Sequence, residues 1–390
     1  MSDSQHQTLV LSFSHTAKDP RVLRQIDWLT TAGSKVSTIG IGPFYSPQCN
    51  EHFSIEIPPI WLRVVSYLFF RGYIRFFFLV GLFNKQIKHF LNQSQAFDLV
   101  IFNDIELSPW ANLFSNKPKT HLHLDLHEYF LDQGIGVYWK ILFSRYSNWL
   151  LAKARSVNWT TISTVAPSIG LLYEKYFDRD GVFTILSAPN YSQYEVKPTD
   201  ESRIKLIHHG VADLDRGILE LIESVQYLEK RYELHLMLMG TSKVIRKIER
   251  LIIANRLENR VFLHPPVSTK EIVKSINKYD LEIIFFPPKS LNLLHSLPNK
   301  YFEAIQARIG VVHGPSINMS LLSKEHGFSI EVPTWDYQEL ALTLNRYSSA
   351  DIYEKKMRAA ESSKLYCAEV EARKFLAHLS LAHPETDEIK

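Results

Sequence analysis

Short apolar or β-branched runs alternate with segments of helical period along almost the whole of this chain, and no other feature narrows its fold as far. Parallel strands need a long crossover between them, usually a helix, so the alternation predicts parallel sheets covered on both faces. In the first half the runs are Thr8–Phe13, Lys35–Gly40, Phe53–Ile57, Leu99–Phe102, His121–Leu126, Thr160–Val165 and Phe183–Leu186. Between the first two, Val22, Ile26 and Leu29 repeat at helical spacing over Pro20–Ala32, and Gly33 marks the end. An opening βαβ unit follows, whose loop Ser14–Asp19 sits at the carboxyl end of the first strand, where open α/β sheets bind ligands.

The pattern restarts after Pro189–Arg203, a stretch rich in Pro, Ser, Asn and charge. Further strand runs lie at Ile204–His209, Leu234–Met239, Val261–His264, Leu281–Phe286, Ile309–His313 and Phe328–Val332, and Ala350–Ala382 reads as terminal helices. With 390 residues, the chain is too long for one ordinary domain. The expected division is a first Rossmann-like domain over 1–190, a linker over 191–203, a second over 204–349, and terminal helices over 350–390 that pack back toward the first domain.

Composition excludes several classes. Cys49 and Cys367 lie far apart without metal-type spacing, and Met1–Gln7 carries no basic stretch ahead of an apolar core, so a cytoplasmic protein without structural disulfides or secretion signal is expected. A formal charge of +3 and the lack of a zinc finger, an RNA-binding aromatic motif or a long basic arm argue against nucleic acid as a partner. The distribution of charge says more than its sum. Between Ile57 and Phe97 there is no acidic residue, while Arg63, Arg71, Arg75, Lys85 and Lys88 are interleaved with Trp61, Tyr67, Phe69, Phe70, Tyr73, Phe76, Phe77 and Phe78. Arg71 and Arg75 would each cost about 2.5–3.5 kcal/mol at the centre of a membrane span, which rules one out. Two readings stand: a helix lying on an anionic membrane surface, or helices packed on the sheet with their arginines reaching solvent.

The segment Ser296–Val312 carries the densest chemistry. Pro298 fits a first helical turn with Ser296 available as a cap, and the helix is expected to run to about Arg308. Phe302 and Ile305 would face the core, leaving Lys300, Glu303 and Ala307 on one side. A cation and a helix N-terminus attract phosphate, a carboxylate accepts from ribose hydroxyls, and alanine admits a close ligand. The same spacing also describes an ordinary solvated face with a weak Lys/Glu pair.

Taken together, these pieces resemble the GT-B glycosyltransferases, in particular the retaining enzymes of glycosyltransferase family 4, over nearly the whole chain. Asp19-Pro20-Arg21-Val22 with Trp28-Leu29 and Gly33 resembles the family's opening helix, and Asp125-Leu126-His127-Glu128 its Asp-x-His-Glu strand end. His209-Gly210-Val211 with Arg216-Gly217 resembles the phosphate loop of the second domain; Leu236-Met237-Leu238-Met239-Gly240, Val261-Phe262-Leu263 and Tyr279-Asp280 through Phe286-Pro287-Pro288 resemble the strands that follow. The resemblance implies two Rossmann-like domains facing each other across an interdomain cleft. It also implies a transferase that moves a sugar from a nucleoside diphosphate (UDP or GDP) to a hydroxyl of a glycan or lipid-linked acceptor with retention, in cell-surface polysaccharide biosynthesis.

Carried to this chain, the resemblance makes Glu303 the ribose carboxylate, Lys300 and Arg216 the cations nearest the diphosphate, and Gly210, Gly240, His295 and Asn299 further donor-binding positions. His127 becomes the catalytic-side histidine that hydrogen-bonds a donor sugar hydroxyl; as residues alone, it could equally be satisfied beside Asp125. Ser14, His15, Asp19, Arg21, Asp104 and Asp125 fall on the acceptor side, although Asp19 also reads as a helix cap and Arg21 as a surface ion pair. Two cations and a helix N-terminus suffice to stabilise a leaving diphosphate, so neither metal nor cofactor is expected. Three departures stand out. His295 occupies the place of a common glutamate, Val211 that of a common arginine, and Arg308-Ile309-Gly310 replaces Gly-x-Pro. They keep two alternatives open: a nucleotide-sugar epimerase of the same architecture, and a degenerate non-catalytic subunit. The expected location is cytoplasmic, peripheral at the inner face of the plasma membrane through residues 57–97.

Overall fold

The computed structural model describes residues 6–55, 61, 97–114, 119–130 and 147–381. The chain divides into two compact units: the first ends at Ile185 and resumes at Ala372, and the second spans Leu186–Glu371. Of the basic aromatic stretch 57–97, Trp61 is exposed and Phe97 buried; Arg63, Arg71, Arg75, Lys85 and Lys88 lie outside the described residues. Among the described residues no helix is long and apolar enough to cross a membrane.

The first unit is built on a seven-stranded parallel sheet. Its strands are β1 (Gln7–His15), β2 (Lys35–Ile41), β3 (Glu51–Ile55), β4 (Leu99–Asn103), β5 (His121–Leu126), β6 (Thr161–Thr164) and β7 (Val182–Thr184), in the order β3-β2-β1-β4-β5-β6-β7. The central strands are buried continuously, β1 over Thr8–Ser12 and β4 from end to end, instead of alternating, as expected where both faces are covered. Between β1 and β2 the helix Pro20–Thr31 starts where Asp19 accepts from the backbone amides of Arg21 and Val22, with Pro20 needing no donor in the first turn. Its buried face carries Val22, Ile26 and Leu29, as their spacing requires.

The second unit repeats the plan with β8 (Ile204–Val211), β9 (Tyr232–Met239), β10 (Val261–His264), β11 (Leu281–Ile284), β12 (Gly310–His313) and β13 (Ser329–Glu331). The order is β10-β9-β8-β11-β12-β13, again all parallel. In both sheets the order reverses next to the first strand of the unit, between β1 and β4 and between β8 and β11. That reversal opens a crevice at the carboxyl ends of the strands, which is where this topology places ligands. One core, running from Ile204 and Leu206 through Leu234, Leu236 and Ile283 to Ile330 and Leu344, fixes the second sheet against its helices.

The stretch after Ala188 is tied to the second unit. Pro189 O accepts from the Ala368 amide at 2.9 Å, Tyr191 N donates to Glu369 at 2.9 Å, and Ser192 N donates to Gln306 at 3.1 Å. Arg308 completes this clamp. It sits at φ +61°, a conformation costing a side-chain-bearing residue about 1–2 kcal/mol, and its guanidinium donates to the carbonyls of Ile305, Gln306 and Ser192. The departure from Gly-x-Pro is therefore a substitution of one device for another: hydrogen bonds from Arg308 hold a turn that glycine would adopt freely.

Candidate functional site

The helix Asn299–Gln306 runs beneath the crevice of the second sheet with most of its surface buried: Tyr301, Phe302, Ala304, Ile305 and Gln306 are all covered. Only Asn299, Lys300 and Glu303 reach solvent, so one strip of an otherwise internal helix stays open at the strand ends. Two expectations need correcting here. Ala307 is fully buried and lies off the open strip, and Ser296 caps nothing, because its hydroxyl closes the preceding turn by donating to Leu293 O at 2.8 Å.

The strip meets the end of β8. Gly210 has φ +112°, and a side chain there would begin 3.0 Å from Lys300 Cε, so glycine is required both by conformation and by the close passage of the lysine. His208 Nδ1 lies 2.8 Å from Ile283 O and therefore carries the proton; its Nε2 accepts from Lys300 Nζ at 3.5 Å. Burial and the Lys300 charge hold His208 well below the ordinary imidazole range, and hence neutral. His209 is the opposite case. Its Nδ1 lies 2.9 Å from Glu282 Oε2 and its Nε2 lies 2.9 Å from Glu303 Oε2, so both ring nitrogens donate. Burial pulls its pKa down, but the two carboxylates outweigh burial and raise it to about 9. Burial also lowers the pKa of Lys300, against the opposing pull of Glu282 and Glu303. The cluster thus holds two cations and two carboxylates in near balance, and Glu303 is the carboxylate of the two that remains open to solvent.

Around this centre, Arg216 lies in the loop after β8, more than half exposed, with Nε 3.2 Å from Asp213 and its guanidinium 6.0 Å from the Phe286 ring centroid. Gly217 follows at φ +77°, where a Cβ would fall 1.8 Å from Tyr337 Oη; the glycine fixes the turn that carries Arg216. Gly240 ends β9 beside a cavity of about 350 Å³ lined by Leu238, Met239, Ile245, Leu263, His264 and Pro265. Asn299 is the first residue of the helix, and His295 sits before it, its carbonyl accepting from Asn318 at 2.6 Å and its imidazole pKa lowered by burial.

The first unit gathers its own polar group at the reversal between β1 and β4. Asp125, at the end of β5, is fully buried and accepts from Arg21 Nε at 2.6 Å, Arg21 Nη2 at 2.5 Å, Gln25 Nε2 at 2.7 Å and Ser163 Oγ at 2.6 Å. Despite its burial, the Arg21 guanidinium and the His127 ring keep its pKa well below the carboxylate range. A saturated carboxylate without exposure acts on Arg21 and His127, not on a bound molecule. Arg21 is likewise a buried partner and not a surface pair, and its Nη1 donates to Ile185 O at 3.2 Å. His127 is partly open, with Nε2 3.3 Å from Asp125 and Nδ1 3.6 Å from Asp104; burial opposes its charge, but the two carboxylates prevail and its pKa is raised. Asp104 sits at φ +77° and accepts from the His127 amide at 3.3 Å. Ser14 donates to Asp19 at 2.6 Å while Asp19 caps its helix, and His15 lies exposed at the end of β1.

Sequence reasoning missed His209 as a charged residue and missed Glu282 altogether. A signal existed: Glu282 is an acid inside a four-residue strand that is otherwise Leu and Ile, and a buried carboxylate demands a cationic partner.

No protein-family model matches the chain, and no curated protein matches it in sequence. Solved structures do match. Sucrose-phosphate synthase from Thermosynechococcus elongatus superposes with a TM-score of 0.71 at 13% identity, covering 96% of this chain and 98% of that one. HepE of Anabaena in complex with UDP gives a TM-score of 0.71 at 12% identity, with coverage of 97% and 100%. The UDP-forming α,α-trehalose-phosphate synthase from Burkholderia vietnamiensis gives 0.65 at 11% identity, with coverage of 96% and 98%. These likenesses show the fold: two Rossmann-like units of the GT-B type.

Proposed function

We propose that the protein is a glycosyltransferase whose donor, a nucleoside-diphosphate sugar, binds at the carboxyl end of β8 in the second unit. The observation that carries this reading is the open strip of the Asn299–Gln306 helix, which sets Lys300 against side-chain-free Gly210 and leaves Glu303 partly exposed beside it. A diphosphate would approach the Gly210 backbone with Lys300 and Arg216 as counter-charges, and Glu303 would accept from ribose hydroxyls. The apolar cavity beside Gly240 has the size and lining for a nucleobase. That solved GT-B structures include one with UDP-glucose bound, HepE of Anabaena, supports a UDP-sugar as the first donor to try.

In this reading Lys300 and Arg216 act on the charge that builds on the leaving diphosphate, stabilising the transition state more than the ground state. Transfer proceeds with retention and without a metal, to a hydroxyl of a glycan or lipid-linked acceptor, with His127 holding a donor sugar hydroxyl and Asp104 on the acceptor side. Cell-surface polysaccharide assembly at the inner membrane face is the matching setting. The test is transfer from a panel of UDP- and GDP-hexoses to glycan and lipid-linked acceptors, with and without chelator, with the anomeric form of the product read by NMR. Chelator-insensitive release of nucleotide with an axial-retained product supports the reading; absence of both release and transfer for every donor rejects it. Binding to anionic vesicles that survives replacement of Arg63, Arg71 and Arg75 would reject the membrane role of that stretch.

A further inference from the structure

The donor reading leaves two buried ionisable residues without a task. His209 is 3% exposed and Glu282 is not exposed at all, so neither touches a bound nucleotide. Glu282 spends one oxygen on His209, and its other oxygen, Oε1, is buried with no hydrogen-bond partner. Burying a carboxylate so incompletely satisfied is costly, and the imidazolium beside it supplies the compensation.

We propose that His209, backed by Glu282, is the positioning cation of the donor site: it grips one carboxylate oxygen of Glu303 and presents the other to a ribose hydroxyl. The inference rests on the reading of Glu303 as the ribose carboxylate. Glutamate side chains are rich in rotamer freedom, and a carboxylate already held by a charge-assisted hydrogen bond does not lose that freedom again when the nucleotide arrives. Position supports the assignment. His209 directly precedes Gly210, so the element that meets the diphosphate also fixes the carboxylate that meets the ribose.

The groups facing His209 are few. Glu303 and Lys300 come from the Asn299–Gln306 helix, Glu282 from β11, and His208 from β8 itself, with Arg216 beyond the strand end. On β9 the nearest ionisable neighbour is His235, which is engaged by His264 at 2.9 Å and Glu233 at 3.4 Å. His208 is held neutral, so the charge of His209 answers to its two carboxylates against the cost of burial.

The experiment is calorimetric titration of UDP and of GDP into wild type and His209→Gln between pH 6.5 and 10.5. Glutamine keeps a donor but not the charge, and the ratio of wild-type to variant affinity cancels the titration of the nucleotide itself. The expected ratio is about tenfold at pH 7, since a charge-assisted hydrogen bond is roughly twice as strong as a neutral one, and it falls toward one as pH passes about 9. A ratio below about twofold at pH 7, or one that does not change with pH, overturns the proposal while leaving the donor reading intact. No binding of either nucleotide by wild type overturns both. A second readout does not depend on the variant binding anything: the imidazole NMR signal of His209 in the ligand-free protein should titrate near 9, and lower in Glu282→Gln. A midpoint at the ordinary 6.5 in wild type overturns the proposal.

Discussion

The two units solve the same problem, charge at the carboxyl end of a parallel sheet, in opposite ways. In the first unit an anion sits at the centre: Asp125 is enclosed by Arg21, Gln25, Ser163 and His127, with its oxygens fully engaged. In the second a cation sits at the centre: His209 lies between Glu282 and Glu303, one carboxylate incompletely satisfied and the other partly exposed. A saturated cluster is scaffold, holding its outer members in place. An unsaturated one retains capacity to bind, and that difference is the reason the proposed donor site is assigned to the second unit.

The comparison breaks most visibly at Asp125. Replacing it by Asn strands the buried Arg21 guanidinium, and a loss of about 3–5 kcal/mol in urea unfolding is expected; a change under about 1 kcal/mol would mean that the cluster is not scaffold. Glu303→Ala should shift the weight from stability to binding, costing about 1–3 kcal/mol from the His209 donor it leaves unpaired while weakening UDP or GDP binding by about ten- to a hundredfold, the worth of a hydrogen bond to a charged group. Equal effects of the two substitutions on both readouts would erase the distinction between the regions.

Acid and alkali should also separate two of the buried histidines, one from each unit. His123 in the first unit is fully buried, and burial lowers its pKa to about 3, so the unfolded chain takes up a proton that the folded one refuses. Stability from that source falls as pH drops from 6.5 toward 3, by at most about 1.4 kcal/mol per pH unit, and Asp125 adds a further loss as pH falls through its depressed value. His209 has the opposite sign. Its raised pKa gives a contribution fully present below 6.5 and lost as pH rises through about 9. Chemical denaturation at pH 5, 7 and 9.5 should therefore find wild type and His209→Gln converging only at the alkaline end. The smallest effect expected is that of Arg216→Ala: this exposed side chain should cost less than about 0.5 kcal/mol in stability and only a few-fold in nucleotide affinity.

Much of this arrangement was legible beforehand, for identifiable reasons. Strand runs were readable because buried parallel strands must be continuously apolar, and the opening helix because Asp19, Pro20 and the Val22–Ile26–Leu29 spacing each specify it locally. Lys300, Glu303 and Gly210 were legible because a short motif carries them along one helix and one strand end. What the sequence hid are the pairings between distant segments. Arg21 and Asp125 are 104 positions apart, and His209 and Glu282 are 73 apart. No local pattern says that a histidine in one strand is charged by an acid in another; only the register of β8 beside β11 brings them together. Ala307 misled for a related reason, since helical spacing gives the direction of a side chain but not which neighbouring element covers it.

The most direct test of the central claim is a chelator-treated calorimetric titration of UDP and GDP against wild type and Glu303→Ala at pH 7. The account predicts that wild type binds one of the two nucleotides and that the variant, still folded, binds it at least tenfold more weakly. Wild-type binding that the substitution leaves unchanged would contradict it and place the nucleotide elsewhere.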